Sequence, residues 1–159
     1  EETFEKEYKE DFKKIESTIM GDYMPWYYNE FVIRSNKDSF QFTYSFMAEG
    51  EQTCHQDMID LLQPILSKLK YKKLNRIKAN LLSRDSEINE HGFHIDNAQE
   101  KGTTGIFYMN DCNGYTKFED GSIVLSESNK YVEFNSKLRH TGSSCTDAKR
   151  RVVINFNYE

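Results

Sequence analysis

Two histidines, one aspartate and one arginine in the second half of the chain have types and spacings that could perform chemistry. His94 precedes Asp96 by two residues, His140 follows much later, and Arg151 comes eleven residues after His140. Residues two apart in an extended strand point to the same side, so His94 and Asp96 can bind one ion. Two imidazoles and one carboxylate hold Fe(II) on one face and leave three coordination positions open. We expect a metal site, for which His140 must arrive from another strand.

The order of these residues resembles that of the Fe(II)- and 2-oxoglutarate-dependent oxygenases, and the similarity extends into the surrounding sequence. Residues 94–110 resemble the prolyl 4-hydroxylase branch, in which a His-x-Asp-Asn turn leads into an aromatic strand. A Gly-rich hairpin at 113–121, a strand at 131–134, the second histidine and the terminal arginine strand follow. The Arg-Ile-Lys-Ala-Asn segment at 76–80 resembles small phage and marine bacterial versions of the family. The resemblance covers about half of the chain, from residue 76 to 158.

The resemblance implies that His94, Asp96 and His140 bind Fe(II), with no catalytic side chain beyond these ligands. The co-substrates would be 2-oxoglutarate and molecular oxygen, and hydroxylation would release succinate and carbon dioxide. The expected substrate is a peptidyl residue, such as a proline in an extended peptide. Three alternatives stay open, namely a hydroxylase of a small metabolite, a hydroxylase of a nucleic-acid base, and a non-catalytic β-sandwich that only binds a partner.

The C-terminal segment alternates as a strand between a packed core and a cavity would. Its apolar even-numbered residues, from Val152 to Tyr158, would cover the N-terminal helices, and Arg151 falls on the opposite side. A buried arginine is costly without an anion. A carboxylate pairs better with the planar fork of a guanidinium group than with the ammonium group of a lysine. We predict that Arg151 binds the far carboxylate of 2-oxoglutarate, and that Arg150 points toward the helices' side and remains solvent-facing at the start of the strand.

Alternation in two other predicted strands directs further side chains toward the same cavity. In the strand at 76–82, Asn80 falls on the face opposite the apolar residues. In the strand at 103–110, Tyr108 matches a tyrosine of the resembled family whose hydroxyl contacts the co-substrate carboxylate. We predict that Asn80 and Tyr108 help to bind the co-substrate. The alternatives are a polar residue on a solvated face for Asn80 and a core aromatic with a satisfied hydroxyl for Tyr108.

Hydrophobic periodicity predicts the remaining elements. A second helix is expected from Gln56 to Lys70, and Pro64 is expected either to kink it or to shorten its first part. Strands are expected at 26–32 and 40–46. The fold class is therefore α+β, a double-stranded β-helix (jelly roll) with N-terminal helices packed on one sheet, as a single domain over residues 1–159. A first helix covers the first twenty residues, and its apolar stripe consists of Phe4, Tyr8, Phe12, Ile15 and Ile19.

Length and composition limit the classes of protein that remain. The 159 residues include 11 Phe and 10 Tyr but only 2 Pro, which favours a sheet-rich aromatic core. No apolar run approaches a membrane span, and no signal-peptide pattern is present. Three cysteines without metal-type spacing indicate reduced thiols. We expect a monomer or weak dimer in the cytoplasm, or in the host cytoplasm if a phage encodes the chain.

The charge distribution argues against a nucleic-acid substrate but leaves one exception. The net charge is −5, whereas nucleic-acid binding needs a basic surface. Oxygenases that repair nucleic acids resemble one another in an Arg-x5-Arg pattern on the last strand. In this chain the residue six positions after Arg151 is Asn157, so the second arginine of that pattern is missing. We interpret the one basic cluster as a solvated turn, and the alternative is a surface that attracts an acidic substrate. This basic cluster comprises Lys68, Lys70, Lys72, Lys73, Arg76 and Lys78.

Two further histidines and one loop complete the interpretation. His91 lies three residues before His94, so in a regular strand it would point away from the metal, and we exclude it. His55 is expected to be exposed near the start of the second helix. The polar segment 83–92 runs directly into the His-x-Asp pair, and this position makes it a candidate lid.

Overall fold

A computed structural model of the protein describes residues 9–36, 38–96 and 102–159. Ten antiparallel strands form two sheets, and three helices lie beside them. The larger sheet has the strand order β1-β2-β4-β10-β5-β8, with β3 paired to β2, and the smaller sheet has the order β7-β6-β9. The elements are α1 (Lys9–Ile19), β1 (Tyr27–Asn29), β2 (Gln41–Ala48), β3 (Glu51–Gln52), α2 (Gln56–Leu61), α3 (Gln63–Leu66), β4 (Leu74–Ser83), β5 (Thr103–Tyr108), β6 (Tyr115–Phe118), β7 (Ile123–Leu125), β8 (Lys130–Asn135), β9 (His140–Gly142) and β10 (Arg150–Tyr158).

Apolar side chains from both sheets meet in one core. Ile106 of β5 and Val153 of β10 extend from the larger sheet and pack with Phe118 of β6 and Val124 of β7 from the smaller one. Two sheets that share a core of this kind face each other, with their inner side chains filling the space between them. One end of this space remains open as a cavity, which is described below.

The helices cover the outer face of the larger sheet. Ile154 and Phe156 of β10 pack in the same core as Ile15 of α1 and Leu62 between α2 and α3. The predicted alternation of the last strand is therefore confirmed, since its even-numbered residues face the helices while Val153 faces the smaller sheet. The predicted class, an α+β double-stranded β-helix with N-terminal helices on one sheet, is also confirmed.

The first helix follows the predicted stripe over its described part. Ile15 and Ile19 are buried and Phe12 packs against them, as three- and four-residue spacing requires. The helix ends at Ile19, and the Met20 N–H still donates to the Glu16 carbonyl. Phe4 and Tyr8, the other residues predicted for this apolar stripe, lie outside the described residues.

The second predicted helix is split in two, which corrects its expected extent. α2 ends at Leu61 and α3 spans only Gln63–Leu66. Pro64 lies in the first turn of α3, where its missing N–H leaves no helical hydrogen bond unmade. The first part of the predicted helix is thus shortened and ends at Leu61, the second of the two effects expected of Pro64. His55 is exposed and caps α2 through its Nδ1, which accepts from the Asp57 N–H at 3.5 Å.

The strand predicted at 26–32 is shorter than expected, because only Tyr27–Asn29 pair with β2. Beyond them the chain bends, and the Val32 N–H donates to the Ser39 hydroxyl instead of to a neighbouring strand. These bends bring Val32 and Ile33 to the edge of the cavity.

No helix within the described ranges is long and apolar enough to cross a membrane. The three cysteines are free thiols, as predicted.

Gly105 provides a test of the fold, because the Tyr131 side chain lies directly over it. A Cβ at Gly105 would come within 2.6 Å of two ring carbons of Tyr131 and closer still to its hydroxyl. The Tyr131 hydroxyl is hydrogen-bonded to that of Tyr158 at 2.8 Å, so the ring is not free to move away. We predict that Gly105→Ala lowers the free energy of unfolding by about 1–3 kcal/mol, as overpacking does.

Urea unfolding monitored by circular dichroism measures this loss. Thr103→Ala, on the same strand at a half-buried position, is the control and should change stability by less than about 0.5 kcal/mol. Equal stability of Gly105→Ala and the wild type would show that the ring does not lie over β5.

Candidate metal centre

Three side chains that the sequence singled out lie together at the mouth of the cavity. His140 belongs to β9, and His94 forms a single antiparallel bridge with it. The expected strand at 94–96 is not formed beyond this bridge, because Asp96 lies in a bend. Nonetheless Asp96 Oδ1 is 3.3 Å from His94 Nε2 and 3.4 Å from His140 Nε2. One ligand atom from each residue lies within 4.8 Å of the other two.

Backbone carbonyls determine which ring nitrogen of each histidine is available. His94 Nδ1 is 3.1 Å from the Gly92 carbonyl, and His140 Nδ1 is 3.0 Å from the Leu138 carbonyl. A carbonyl oxygen can only accept, so both Nδ1 atoms carry the proton and donate. In the neutral ring each Nε2 is then an acceptor that faces an anionic carboxylate. Either two extra protons or one divalent cation must lie between these three acceptors.

The carboxylate of Asp96 is held in its ionised form. Burial opposes ionisation, but hydrogen bonds from His140 and His94, which each Nε2 can donate when its ring is protonated, overcome this and hold the pKa of Asp96 far below its usual range. Burial likewise lowers the pKa of His94, but the hydrogen bond with Asp96 outweighs it and the net pKa is raised. Asn157 donates through Nδ2 to Asp96 Oδ2 at 3.4 Å, which orients the second oxygen. Such partners beyond the ligands are typical of metal sites.

The cavity beside these side chains has a volume of about 230 Å³ and lies between the two sheets. Asn80 lines it, as predicted, and its Oδ1 is buried without a hydrogen-bond partner among the described residues. The other polar and charged side chains of the lining are those of Gln41, Arg76, Lys78, His91, His94, Asp96, Thr116, His140, Arg151 and Asn155.

Arg151 is only 4% exposed and lines the cavity from β10. Its Nε donates to the Ser126 hydroxyl at 2.8 Å and one terminal nitrogen donates to the Ser143 carbonyl at 3.2 Å. The guanidinium also lies 5.8 Å from the centre of the Tyr108 ring. No carboxylate among the described residues lies within ion-pairing distance of it. Burial lowers the pKa of Arg151, which expresses the cost of this unpaired charge.

Arg150 points toward the helices, as predicted, but it is not solvent-facing. It is half-buried, and its guanidinium donates to the carbonyl of Met20 just beyond the end of α1. Helix-terminal carbonyls lack partners within the helix and attract cations. The expectation of a solvated Arg150 was therefore wrong, and this residue links β10 to α1.

Tyr108 is fully buried behind the cavity wall and is not among the residues that line it. Its hydroxyl donates to the hydroxyl of Thr116 at 2.8 Å, and Thr116 does line the cavity. The expected contact between Tyr108 and a co-substrate carboxylate is therefore not available in this arrangement, and Thr116 occupies the position nearer the cavity.

Comparisons with known proteins support the fold. No family model and no curated protein matches the sequence. An oxidoreductase of the 2OG-Fe(II) oxygenase family from Burkholderia pseudomallei is similar over 98% of this chain and 80% of that one, with 10% identity and a TM-score of 0.66. A prolyl-4-hydroxylase from Pseudomonas putida is similar over 75% and 68%, with 14% identity and a TM-score of 0.48. The chain has a double-stranded β-helix fold. At these identities the likeness concerns the fold alone.

His91 lines the cavity, although the sequence interpretation placed it on the side of the strand away from the metal. Its exclusion as a metal ligand agrees with the ligand cluster found among the described residues, which consists of His94, Asp96 and His140. His91 is 6% exposed, and neither of its ring nitrogens has a hydrogen-bond partner among the described residues. The expected placement assumed strand alternation, but Gly92 has φ +120, a conformation that L side chains rarely adopt. This turn interrupts the alternation between His91 and His94. The glycine itself was the only signal in the sequence.

The segment 83–92, the candidate lid, is hydrogen-bonded to the chain between β9 and β10. Backbone N–H groups of Arg84, Asp85 and His91 donate to carbonyls in the segment 142–149 at distances of 2.9 to 3.1 Å. These bonds hold the segment against the chain that leads from β9 to β10. It therefore shapes the cavity entrance without an evident hinge.

The buried His91 makes stability dependent on pH. Burial, followed by the charge of Arg151, lowers the pKa of His91 from 6.5 to about 4. In the unfolded chain this histidine takes up a proton near pH 6.5, whereas the folded protein resists protonation until about pH 4. Acidification across this window therefore favours the unfolded state, by about 3 kcal/mol for such a shift.

We predict that His91→Leu loses less stability than the wild type between pH 6.5 and pH 4. Urea unfolding at a series of pH values measures this difference, because the other titrating groups are common to both proteins. His55→Leu, which changes an exposed histidine, should follow the wild type. Identical pH profiles for His91→Leu and the wild type would show that His91 is protonated normally in the folded state.

Proposed function

We propose that the protein is an Fe(II)- and 2-oxoglutarate-dependent dioxygenase that hydroxylates a peptidyl substrate, with proline as one candidate residue. The observation that carries this proposal is the convergence of three acceptor atoms, His94 Nε2, His140 Nε2 and Asp96 Oδ1. The same cavity is lined by a buried Arg151 that makes no ion pair with any described residue. The three acceptor atoms need a cation between them, and the buried guanidinium group of Arg151 needs an anion. An iron ion and a dicarboxylate co-substrate meet both requirements.

The donor set fits Fe(II). Two imidazole nitrogens and one carboxylate oxygen on one face are the ligands of non-haem iron oxygenases, and they leave positions for a co-substrate and oxygen. We propose His94, Asp96 and His140 as the ligands. The same donors also bind zinc, which ranks above Fe(II) in general affinity, so zinc in a purified sample would be adventitious.

The cavity lining fits 2-oxoglutarate. Arg151 offers a bidentate contact to the far carboxylate, while Asn80 and Thr116 offer hydrogen bonds within the same cavity. Bound together, Fe(II), 2-oxoglutarate and oxygen would supply oxidative decarboxylation of 2-oxoglutarate to succinate and carbon dioxide, coupled to hydroxylation of a substrate C–H bond. We propose Arg151 and Asn80 as co-substrate contacts, and Tyr108 as a residue that acts through Thr116.

The protein's own residues orient these groups and keep water away. The carbonyls of Gly92 and Leu138 fix the rings of His94 and His140, so that each Nε2 points to one location. Asn157 fixes the second oxygen of Asp96. The apolar residues between the sheets exclude solvent from the inner end of the cavity.

A peptidyl substrate is proposed for two reasons. Residues 94–110 resemble the prolyl hydroxylase branch. In addition, a groove of about 350 Å³ adjoins the cavity, sharing Leu82 and His91 with it, and offers room for residues that flank the hydroxylated one. The alternatives are a small metabolite, a nucleic-acid base, or a non-catalytic binding module.

The first test concerns Asp96. We predict that Asp96→Ala, loaded anaerobically with iron, retains less than about a tenth of the wild-type iron and shows no substrate-independent consumption of 2-oxoglutarate, since loss of a metal ligand removes the site. The variant should remain folded, because Asp96 lies at the cavity mouth. Asp57→Ala, an exposed change on α2, is the control. Metal analysis and succinate formation are the measurements, and turnover that survives in Asp96→Ala would refute the proposed site.

The second test compares neighbouring arginines. We predict that Arg151→Ala raises the Michaelis constant for 2-oxoglutarate by about 10- to 100-fold, because it removes a hydrogen-bonded charge worth about 1.5–3 kcal/mol. Arg150→Ala should leave this constant nearly unchanged, since Arg150 contacts α1 on the other face of the sheet. Succinate formation at varied 2-oxoglutarate concentration measures both. The reverse pattern would mean that the co-substrate binds elsewhere.

A further inference from the structure

The basic cluster of residues 68–78 divides into two parts with different surroundings. Lys70, Lys72 and Lys73 are exposed on the turn before β4. Arg76 and Lys78 are half-buried on β4 and line the cavity beside the candidate metal centre. The alternation of β4 explains why these two residues face the cavity. Ile77 and Ala79 face the helices, so their neighbours Arg76 and Lys78 face inward.

Arg76 is held in place by a polar chain. Its Nε donates to Asn157 Oδ1 at 3.1 Å, and Asn157 in turn donates to Asp96 Oδ2. The Arg76 guanidinium therefore lies close to the candidate metal ligands but makes no ion pair with Asp96. Its other N–H groups make no hydrogen bond with any residue that the structure describes, and Arg76 lines the cavity.

Lys78 makes no hydrogen bond and no ion pair with any residue that the structure describes. Burial, followed by the charge of Arg76, lowers the pKa of Lys78, and the more distant carboxylate of Asp96 only partly opposes this. Two neighbouring cations in a partly buried site are unfavourable unless an anion joins them.

The charge of the cavity exceeds what the co-substrate can neutralise. Its described lining contains three cations, Arg76, Lys78 and Arg151, and one carboxylate, that of Asp96. Fe(II) and the 2-oxoglutarate dianion together add no net charge. Two positive charges remain, and both unmatched cations lie on β4.

The β4 cations are displaced along the sheet from the co-substrate anchor at Arg151. In the sheet, Lys78 pairs with Asn155 and Arg76 pairs with Asn157. These positions are four and six residues along β10 from Arg151, which corresponds to roughly 13 and 20 Å of strand. The two cationic positions are therefore separate subsites, with the β4 pair nearer Asp96.

Resting on the proposed function, we infer that Arg76 and Lys78 form a subsite for a carboxylate of the hydroxylated substrate. The carboxylate belongs either to an acidic side chain of a peptide or to a free organic acid. In both cases this contact would hold the substrate beside the metal and away from the co-substrate anchor at Arg151.

The surroundings favour a single carboxylate over a nucleic-acid backbone. The adjoining groove is lined by Asp38, Asp85 and Glu90, which would repel a chain of phosphates. The protein also carries a net charge of −5. One local anion can use the β4 pair without crossing this acidic surface.

Matched probes test the inference. The wild type, loaded with Fe(II) and saturating 2-oxoglutarate under argon, is titrated calorimetrically with capped octapeptides that contain a central proline. Glutamate is placed in turn at each of the four positions that flank the proline, and every peptide has a glutamine counterpart. A second pair is N-acetylglutamate amide and N-acetylglutamine amide, and the third probe is single-stranded oligothymidylate.

At least one carboxylate probe should bind about tenfold more tightly than its amide counterpart, as expected for a charge-assisted contact. Lys78→Met should abolish this preference, and Arg76→Met should weaken it. Lys70→Met, an exposed lysine of the same cluster, should retain it. A preference among the peptides alone identifies an acidic peptide, whereas a preference in the small pair identifies a free acid.

Equal binding of acids and amides, or no binding of any acid, would overturn the inference. Tight binding of the oligothymidylate that Lys78→Met weakens would also overturn it in favour of a phosphate ligand. If Lys78→Met instead loses affinity for 2-oxoglutarate, the pair belongs to the co-substrate site and the inference is wrong, although the proposed function stands. If the wild type binds no 2-oxoglutarate, the proposed function fails, and the acid–amide comparison still decides whether the β4 pair binds carboxylates.

Discussion

The approach of two imidazole nitrogens to one carboxylate oxygen is the interaction on which the rest of this structure depends. Backbone carbonyls accept the Nδ1 protons of His94 and His140, which leaves each neutral Nε2 as an acceptor. Asp96 Oδ1 lies 3.3 Å from His94 Nε2 and 3.4 Å from His140 Nε2. Such a group is unfavourable without a cation between its members. The fold brings it together from both sheets, since His140 belongs to β9 and Asn157 of β10 supports Asp96.

The cavity carries a second electrostatic cost that is independent of the metal. Arg151 is buried, its hydrogen-bond partners among the described residues are neutral, and burial lowers its pKa. A well-packed core would replace such a residue by an apolar one, often at no loss of stability. Retention of a buried cation with an open cavity in front of it is therefore better explained by an anionic ligand than by folding. The same reasoning applies, less strongly, to half-buried Lys78.

Much of this arrangement could be predicted, because strand alternation is a local property. The inward positions of Asn80 and Arg151 followed from the apolar residues on either side of them. Strand alternation did not predict the directions of side chains where the chain is not a strand. Gly92 adopts a positive φ and turns His91 into the cavity, and Arg150 finds the carbonyl of Met20, a partner 130 residues away that no local pattern reveals.

Asn157 is a neutral residue that lies between the proposed metal site and the proposed substrate subsite. Its amide is oriented by its partners, since Oδ1 accepts from Arg76 while Nδ2 donates to Asp96 and to Thr104. An arginine at this position would pair with the carboxylate directly and reduce its charge toward a metal. An aspartate would capture Arg76 and repel Asp96. The amide does neither, so Asp96 keeps its full charge for a cation and Arg76 keeps its charge for an anion in the cavity.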